Sequence, residues 1–268
     1  MPYLPIASRG IVVLLALSAV AQTVPVGPVQ GAEGAVDLEQ LVAAQTAIVS
    51  KGGKLRFDAT EPHRPVIAAD LNGARDGNRI LEQVKLLSTL RRLRLDGSQV
   101  DDKGVLEHLP TLQHLEVLSL GAKISDRGLA ALVTMRGLRT LYLGPQVTDV
   151  GAARLRSLSR MRTLYLSGSK IGDGGLRHLT GMRELRTLML AGTAITDRGL
   201  EHLARLPRLH TLSVSFTQIQ DSGLAELKGL THLRRLFVHG TRVTPAGLDD
   251  LRRALPELNI LGQPLRTP

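Results

Sequence analysis

The segment Leu185–Leu200 reads LRTLMLAGTAITDRGL. Met161–Leu176, MRTLYLSGSKIGDGGL, and Leu209–Leu224, LHTLSVSFTQIQDSGL, align with it landmark for landmark. A chain that repeats one phrase at a fixed period folds as a stack of equivalent units, not around a single central core. The strand signature x-L-x-L recurs at Ala69–Leu71, Leu93–Leu95, Leu118–Leu120, Leu141–Leu143, Leu164–Leu166, Leu188–Leu190, Leu212–Val214 and Leu236–Val238. The steps between copies are 24, 25, 23, 23, 24, 24 and 24 residues. Eight copies are therefore expected. The first is degenerate at Ala69, and a shortened copy, Leu255–Ile260, follows the last.

The chemistry of one unit explains its spelling. Alternate side chains of a strand point to opposite faces. Leu188 and Leu190 are therefore expected to point inward, with Thr187, Met189 and Ala191 outward. Gly192 lets the chain leave the strand sharply, and Ile195 plugs the loop into the core. Asp197 stands where a helix begins, so its carboxylate is expected to accept the unpaired N–H groups of its own first turn. Leu200, Leu203 and Leu206 then form the apolar stripe of a short helix.

These units resemble the leucine-rich repeat family across roughly Val66–Ile260. The wording I/V-T-D-x-G-L is most similar to the cysteine-containing subclass found in F-box-type proteins and in many bacterial exported repeat proteins. The sequence departs from that subclass where cysteine is common, carrying Ser98, Ser169, Thr193, Thr217 and Thr241 instead. A hydroxyl can bond neighbouring backbone in the same slot. The resemblance implies an α/β fold: a right-handed solenoid with parallel strands on its concave face and short helices on its convex face.

The flanks carry no repeat. Ile11–Ala21 is an apolar run short of the ~20 residues that cross a bilayer as a helix. It ends in Ala19-Val20-Ala21, a small-x-small pattern that marks a cleavage point. Residues 1–21 are thus expected to be a signal peptide, with an uncleaved anchor as the rival. Residues 22–35, rich in Pro, Gly and Val, are expected to be a linker. Residues 36–65 are assigned as an N-terminal cap of helix plus strand. Asp37 is its N-cap, and Leu38, Leu41, Val42, Ile48 and Val49 form an apolar stripe interrupted at Gln45. Residues 66–247 hold the repeats, and 248–268 a C-terminal cap and tail.

Composition narrows the chemistry. The chain has no cysteine, so disulfides, thiolate metal sites and cysteine nucleophiles are excluded. Aromatic residues are 2% of the total and tryptophan is absent, so Leu, Ile and Val must supply the core. The net charge of +10 fits an acidic partner or simple solubility. No His-x-x-x-His, phosphate-binding glycine loop or nucleophile elbow appears. His108, His178 and His202 precede a helix leucine in the same frame and read as surface positions. No enzyme activity, metal or cofactor is expected.

Stacked copies turn equivalent residues into ladders. Asp102, Asp126, Asp149, Asp173, Asp197 and Asp221 form one, read as helix caps and not as a calcium site, which needs several converging oxygens. Thr140, Thr163, Thr187 and Thr211 form a second, suited to strands by their branched Cβ. Arg94, Ser119, Tyr142, Tyr165, Met189, Ser213 and Phe237 form the midline of the outward face, where side chains must meet solvent. Arg91, Arg139, Arg162, Arg186 and Arg234 form a basic rim just before the strands, with Arg92, Arg94 and Arg235 close by.

Tyr and Met on one exposed face are favoured interface anchors. The candidate partner-binding residues are therefore Tyr142, Tyr165, Met189 and Phe237, with Arg92, Arg94, Arg139, Arg162 and Arg186 supplying charge. The expected function is an exported, non-catalytic binding protein of the periplasm, envelope or medium. Its concave face would hold a protein, peptide (acidic ones included) or glycan. Nucleic acid is not expected, nor is a membrane span once the signal is removed. Alternatives are a self-associating structural role in the envelope, or an F-box-like adaptor in ubiquitin-type turnover. The adaptor needs an F-box segment, and residues 22–65 resemble none.

Overall fold

The computed structural model describes residues 37–262. The signal segment, the linker and the tail beyond residue 262 lie outside the described residues.

Ten strands form one sheet in strict sequence order. The first, β1 (Lys54–Phe57), pairs antiparallel with β2 (Val66–Asp70). The remaining pairs are parallel: β3 (Arg92–Arg94), β4 (Val117–Ser119), β5 (Thr140–Tyr142), β6 (Thr163–Tyr165), β7 (Thr187–Met189), β8 (Thr211–Ser213), β9 (Arg235–Phe237) and β10 (Asn259–Leu261). No register slip interrupts the parallel part. Ala69, Leu93, Leu118, Leu141, Leu164, Leu188, Leu212, Leu236 and Ile260 stand opposite one another in turn.

A helical segment follows each repeat strand on the opposite side of the core. Among these are α2 (Arg79–Val84), α3 (Asp102–His108), α4 (Asp149–Arg154), α5 (Asp173–Leu176), α6 (Asp197–Leu203), α7 (Asp221–Glu226) and α8 (Pro245–Ala254). The third segment, Gly128–Thr134 after β4, is a 3-10 helix instead. Strands stack ~4.8 Å apart, whereas packed helices need ~8–10 Å. The stack must therefore bend with its strands inside, on the concave face. Between the layers lies a continuous slab of buried Leu, Ile and Val, in which Leu164, Leu188 and Leu212 are completely inaccessible. This is a right-handed leucine-rich repeat solenoid.

Before the repeats, α1 (Leu38–Ser50) leads into β1. The stripe differs from the one read in the sequence. Ala44 and Ile48 are buried with Leu41 packed beside them, while Leu38 and Val49 are exposed. The inward face follows the i, i+3, i+7 line through Leu41, Ala44 and Ile48. Leu38 and Val49 lie off that line, and Gln45 is only half-buried at its margin.

The aspartate ladder also works differently from the capping role read in the sequence. The residue that enters each helix as N-cap is the one before: Thr148, Gly172, Thr196, Gln220 and Thr244. Each Asp reaches forward instead to the following repeat. Asp126 accepts the Thr148 N–H at 2.8 Å and its hydroxyl at 2.6 Å. Asp173 does the same to Thr196, at 2.7 and 2.6 Å, and Asp221 to Thr244 at the same distances. Asp102, Asp149 and Asp197 take the N–H of Ser125, Gly172 and Gln220. At the start of the row Asn78 exchanges two hydrogen bonds with Asp101.

The staple also dictates the glycine two residues after each Asp. A Cβ on Gly128 would lie 2.5 Å from Asp102 Oδ1, and one on Gly175 would lie 2.6 Å from Asp149 Oδ1. Gly104, Gly151, Gly199, Gly223 and Gly247 meet the preceding copy's Asn or Asp in the same way. The motif D-x-G is thus two halves of one joint. The Asp belongs to the joint ahead, and the Gly makes room for the Asp behind.

The hydroxyl slot behaves as the sequence implies at four of its five positions, whereas Ser169 Oγ is buried with no hydrogen-bond partner among the described residues. Ser98, Thr193 and Thr241 donate to the carbonyls of Leu95, Leu190 and Val238 at 2.8, 2.6 and 2.6 Å, and Thr217 donates to Val214. All are buried.

Candidate functional site

The sheet's solvent face carries two columns. In one, Ala68, Arg92, Val117, Thr140, Thr163, Thr187, Thr211, Arg235 and Asn259 stand opposite one another. In the other the order is Asp70, Arg94, Ser119, Tyr142, Tyr165, Met189, Ser213, Phe237 and Leu261. The second column is the candidate site. Its inward neighbours are buried aliphatic side chains, so its large residues cannot turn into the core.

Tyr142 and Tyr165 stack with ring centroids 4.3 Å apart and planes 12° from parallel. That spacing matches the distance between adjacent parallel strands, so the stack follows directly from register. Met189 continues the column on the next strand. All three are half-buried, as is Phe237. Burial raises the Tyr142 phenol pKa above the ordinary value of 10.0, and the neighbouring Tyr165 pushes it the same way.

Not every midline residue meets solvent as the sequence implied. Ser119 and Ser213 are buried at 3% exposure. Each is a small side chain between long ones: Arg94 and Tyr142 in the first case, Met189 and Phe237 in the second. The Ser119 hydroxyl donates to Asp96, closing that spot further. His108, read as a surface position, is also buried, at the junction between α3 and the 3-10 turn Leu109–Thr111.

The candidate arginines fall into two groups. Arg94 is bracketed by carboxylates, with Nη1 3.3 Å from Asp70 and Nε 3.1 Å from Asp96. A niche of about 350 Å³ opens there, lined by Arg94, Asp96, Val117, Ser119 and Tyr142. Arg162 pairs with Glu184 at 3.4 Å. Among the described residues, Arg92, Arg139 and Arg186 have no ion-pair partner. Arg139, Arg162 and Arg186 each precede by three residues the large side chains Tyr142, Tyr165 and Met189. Three consecutive repeats therefore each offer one cation and one apolar surface. Arg92 and Arg94 lie at the other side of Ser119 and do not join that group.

One exposed aromatic was missed in the strand columns. Phe216 is 62% exposed and has φ +56°. It occupies the turn position where other copies have glycine with positive φ, at Gly168, Gly192 and Gly240. A bulky residue there is strained, at a cost of about 1–3 kcal/mol. Its ring meets His239 edge-on, 5.0 Å between centroids and 76° between planes. Comparing the loop column across copies, not the strands alone, exposes the substitution.

Among the described residues no cluster of three or more His, Asp or Glu is placed to hold a metal, and no helix is long and apolar enough to cross a membrane. The candidate site presents apolar rings, hydroxyls and cations on one face of the sheet.

The repeat, the parallel sheet and the D-x-G joint together define a leucine-rich repeat protein. A family model described as "Leucine Rich repeat" matches residues 207–228. Internalin C2 from Listeria monocytogenes is similar in structure, with a TM-score of 0.61 and 23% identity over 74% of this chain and 81% of that one. A leucine-rich repeat protein of Leptospira interrogans overlaps at a TM-score of 0.43 and 18% identity, over 72% of this chain and 59% of its own. No curated protein matches at the level of sequence.

Proposed function

We propose that this leucine-rich repeat protein is an exported, non-catalytic scaffold that binds a protein partner on its concave face. The observation that carries the reading is the row Tyr142, Tyr165 and Met189, half-buried on consecutive strands above a closed aliphatic core. Such side chains contribute little to that core and present preorganised apolar area. Tyr in particular binds at low entropic cost because few of its torsions need freezing. Arg139 and Arg186 add steering toward acidic partners. Export rests on the apolar run and small-x-small ending of residues 1–21.

The test is recovery of a cross-linked partner from the source organism's envelope, with full chain beside its Tyr142→Ala/Tyr165→Ala variant. The expected result is a partner lost in the double variant, with a thermal midpoint close to the parent's. Equal capture by both proteins would move the site off the midline. A variant that fails to fold would make the tyrosines structural.

A further inference from the structure

The turn at Phe216 is the same turn that other repeats build with glycine. Its N–H donates to His239 O at 2.7 Å, just as Gly192 donates to Ser215 O and Gly168 to Ala191 O, both at 2.8 Å. The backbone requirement is unchanged, yet the residue least suited to it among neighbouring copies has a large apolar ring. That ring fills no cavity in the core, since most of its surface meets solvent. It projects over Gly240, where an added Cβ would come within 2.6 Å of Phe216 Cδ1. The following repeat thus keeps clear the space the ring occupies. The contacts of the ring among the described residues are with His239 and above Gly240, at the surface and not with the core. Strain of this kind marks places where a side chain is used.

Its surroundings state what it would meet. His239 packs against the ring and lies two residues beyond Phe237 on the same chain segment. From Thr140 onward, the outward strand residues and the turns directly after them include no Asp or Glu. Arg235 and Arg242 are exposed there. Arg235 donates to the Thr211 hydroxyl at 3.2 Å, and neither arginine has an ion-pair partner among the described residues. The opposite end of the face is different, with Arg94 held between Asp70 and Asp96. The Phe216 end therefore combines an exposed apolar ring with two exposed arginines that have no ion-pair partner among the described residues.

We infer that Phe216, with His239 and Phe237, anchors a protein segment in which an apolar side chain is flanked by carboxylates. The apolar side chain packs on the Phe216 ring, and Arg235 and Arg242 pair with the carboxylates. This rests on the reading that the concave face binds protein, and it adds the chemistry of the partner and the end of the face where the contact centres.

A random peptide library displayed on phage, selected on the full chain, tests it. The strongest selected peptide is then synthesised with a fluorescent label and titrated by anisotropy. The expected selection is a Leu, Ile, Phe or Met flanked by Asp or Glu. Phe216→Gly should weaken binding at least about tenfold, as removal of an interface hot spot does. Because glycine is what the other copies use, that variant should melt no lower than the parent, which separates lost binding from lost fold. Replacing the peptide's acidic residues by amides should weaken it as well. Enrichment of basic or neutral sequences, no enrichment, equal binding to Phe216→Gly, or a sharply lowered melt each overturns the inference. Peptides that need Tyr142 and Tyr165 but ignore Phe216 overturn it while leaving the concave-face reading standing. Peptides that need Phe216 and ignore the tyrosines support it and remove the midline from that reading.

Discussion

Replacing Asp173 by alanine removes the staple between two central repeats. Its carboxylate accepts the Thr196 N–H at 2.7 Å and the Thr196 hydroxyl at 2.6 Å. Hydrogen bonds to a charged group contribute roughly 1.5–3 kcal/mol each in net terms. Thr196 is half-buried, so water replaces part of what is lost. Asp173 also opens α5, where a negative charge favours the helix dipole by about 0.3–1 kcal/mol. Asp173→Ala should therefore cost about 2–4 kcal/mol. Asp173→Asn should cost about half as much, because an amide oxygen still accepts the N–H, as Asn78 does from Asp101 at 3.0 Å. The sharper part concerns Gly199. A Cβ there would fall inside the closest approach that real Cβ atoms show to Asp173 Oδ1, with Leu176 Cδ1 at 3.0 Å as the next neighbour. In the parent, Gly199→Ala should destabilise by about 1–3 kcal/mol through overpacking. In the Asp173→Ala background the carboxylate is gone, and the Leu176 methyl at 3.0 Å need give by only a few tenths of an ångström. The same change should then stabilise by up to about 1 kcal/mol, since alanine suits a helix interior better than glycine. The assay is equilibrium urea unfolding of the four proteins, followed by far-ultraviolet circular dichroism and read as a double-mutant cycle. Additive effects would refute the joint, as would an Asp173→Ala variant within about 0.5 kcal/mol of the parent.

Two further predictions concern the core and the face. Leu188→Ala should cost about 2–5 kcal/mol, because its side chain is wholly buried between adjacent repeats; a urea midpoint matching the parent's would mean that the inward and outward positions have been exchanged. Tyr142 holds its proton more tightly when folded, with burial as the main cause and Tyr165 second. The folded pKa is raised, so the associated stability is intact below pH 10.0 and is lost as pH rises through the raised value. Tyr142→Phe should flatten that alkaline decline in urea midpoints measured across the range, and an unchanged slope would count against the burial.

The sheet was legible because its signal is arithmetic. Leu93 through Leu236 recur at 23 to 25 residues, and one alternation decides which of them point inward. The Asp joint was harder to read. Within a single copy, an Asp at a helix start looks like a cap. Its real partners are 22 or 23 residues away, in the next copy, and become visible only when copies are stacked. Ser119 and Ser213 occupy the same alternation as Tyr142, but exposure depends on the reach of neighbouring side chains, which spacing does not encode. The stripe of α1 drifted for a related reason: with only 13 residues and no repeat partner, several faces fit the pattern nearly as well. Phe216 was legible in principle, as a phenylalanine in a glycine column. The strand positions alone do not reveal it, because it lies in the turn that follows them.

The joint has a direction, and that gives the array a rule for growth. Each interior unit carries an acceptor for the unit ahead and a vacancy for the acceptor behind. A gene duplication that copies any whole unit between them therefore inherits both halves of the fastening, and the enlarged array closes without new interface residues. Only the ends are fixed: Asn78 opens the row, and Pro245 stands where a further Asp would be needed to continue it. Lengthening the protein while keeping its surface chemistry is thus a matter of insertion inside the row, whereas extension past α8 requires first undoing Pro245.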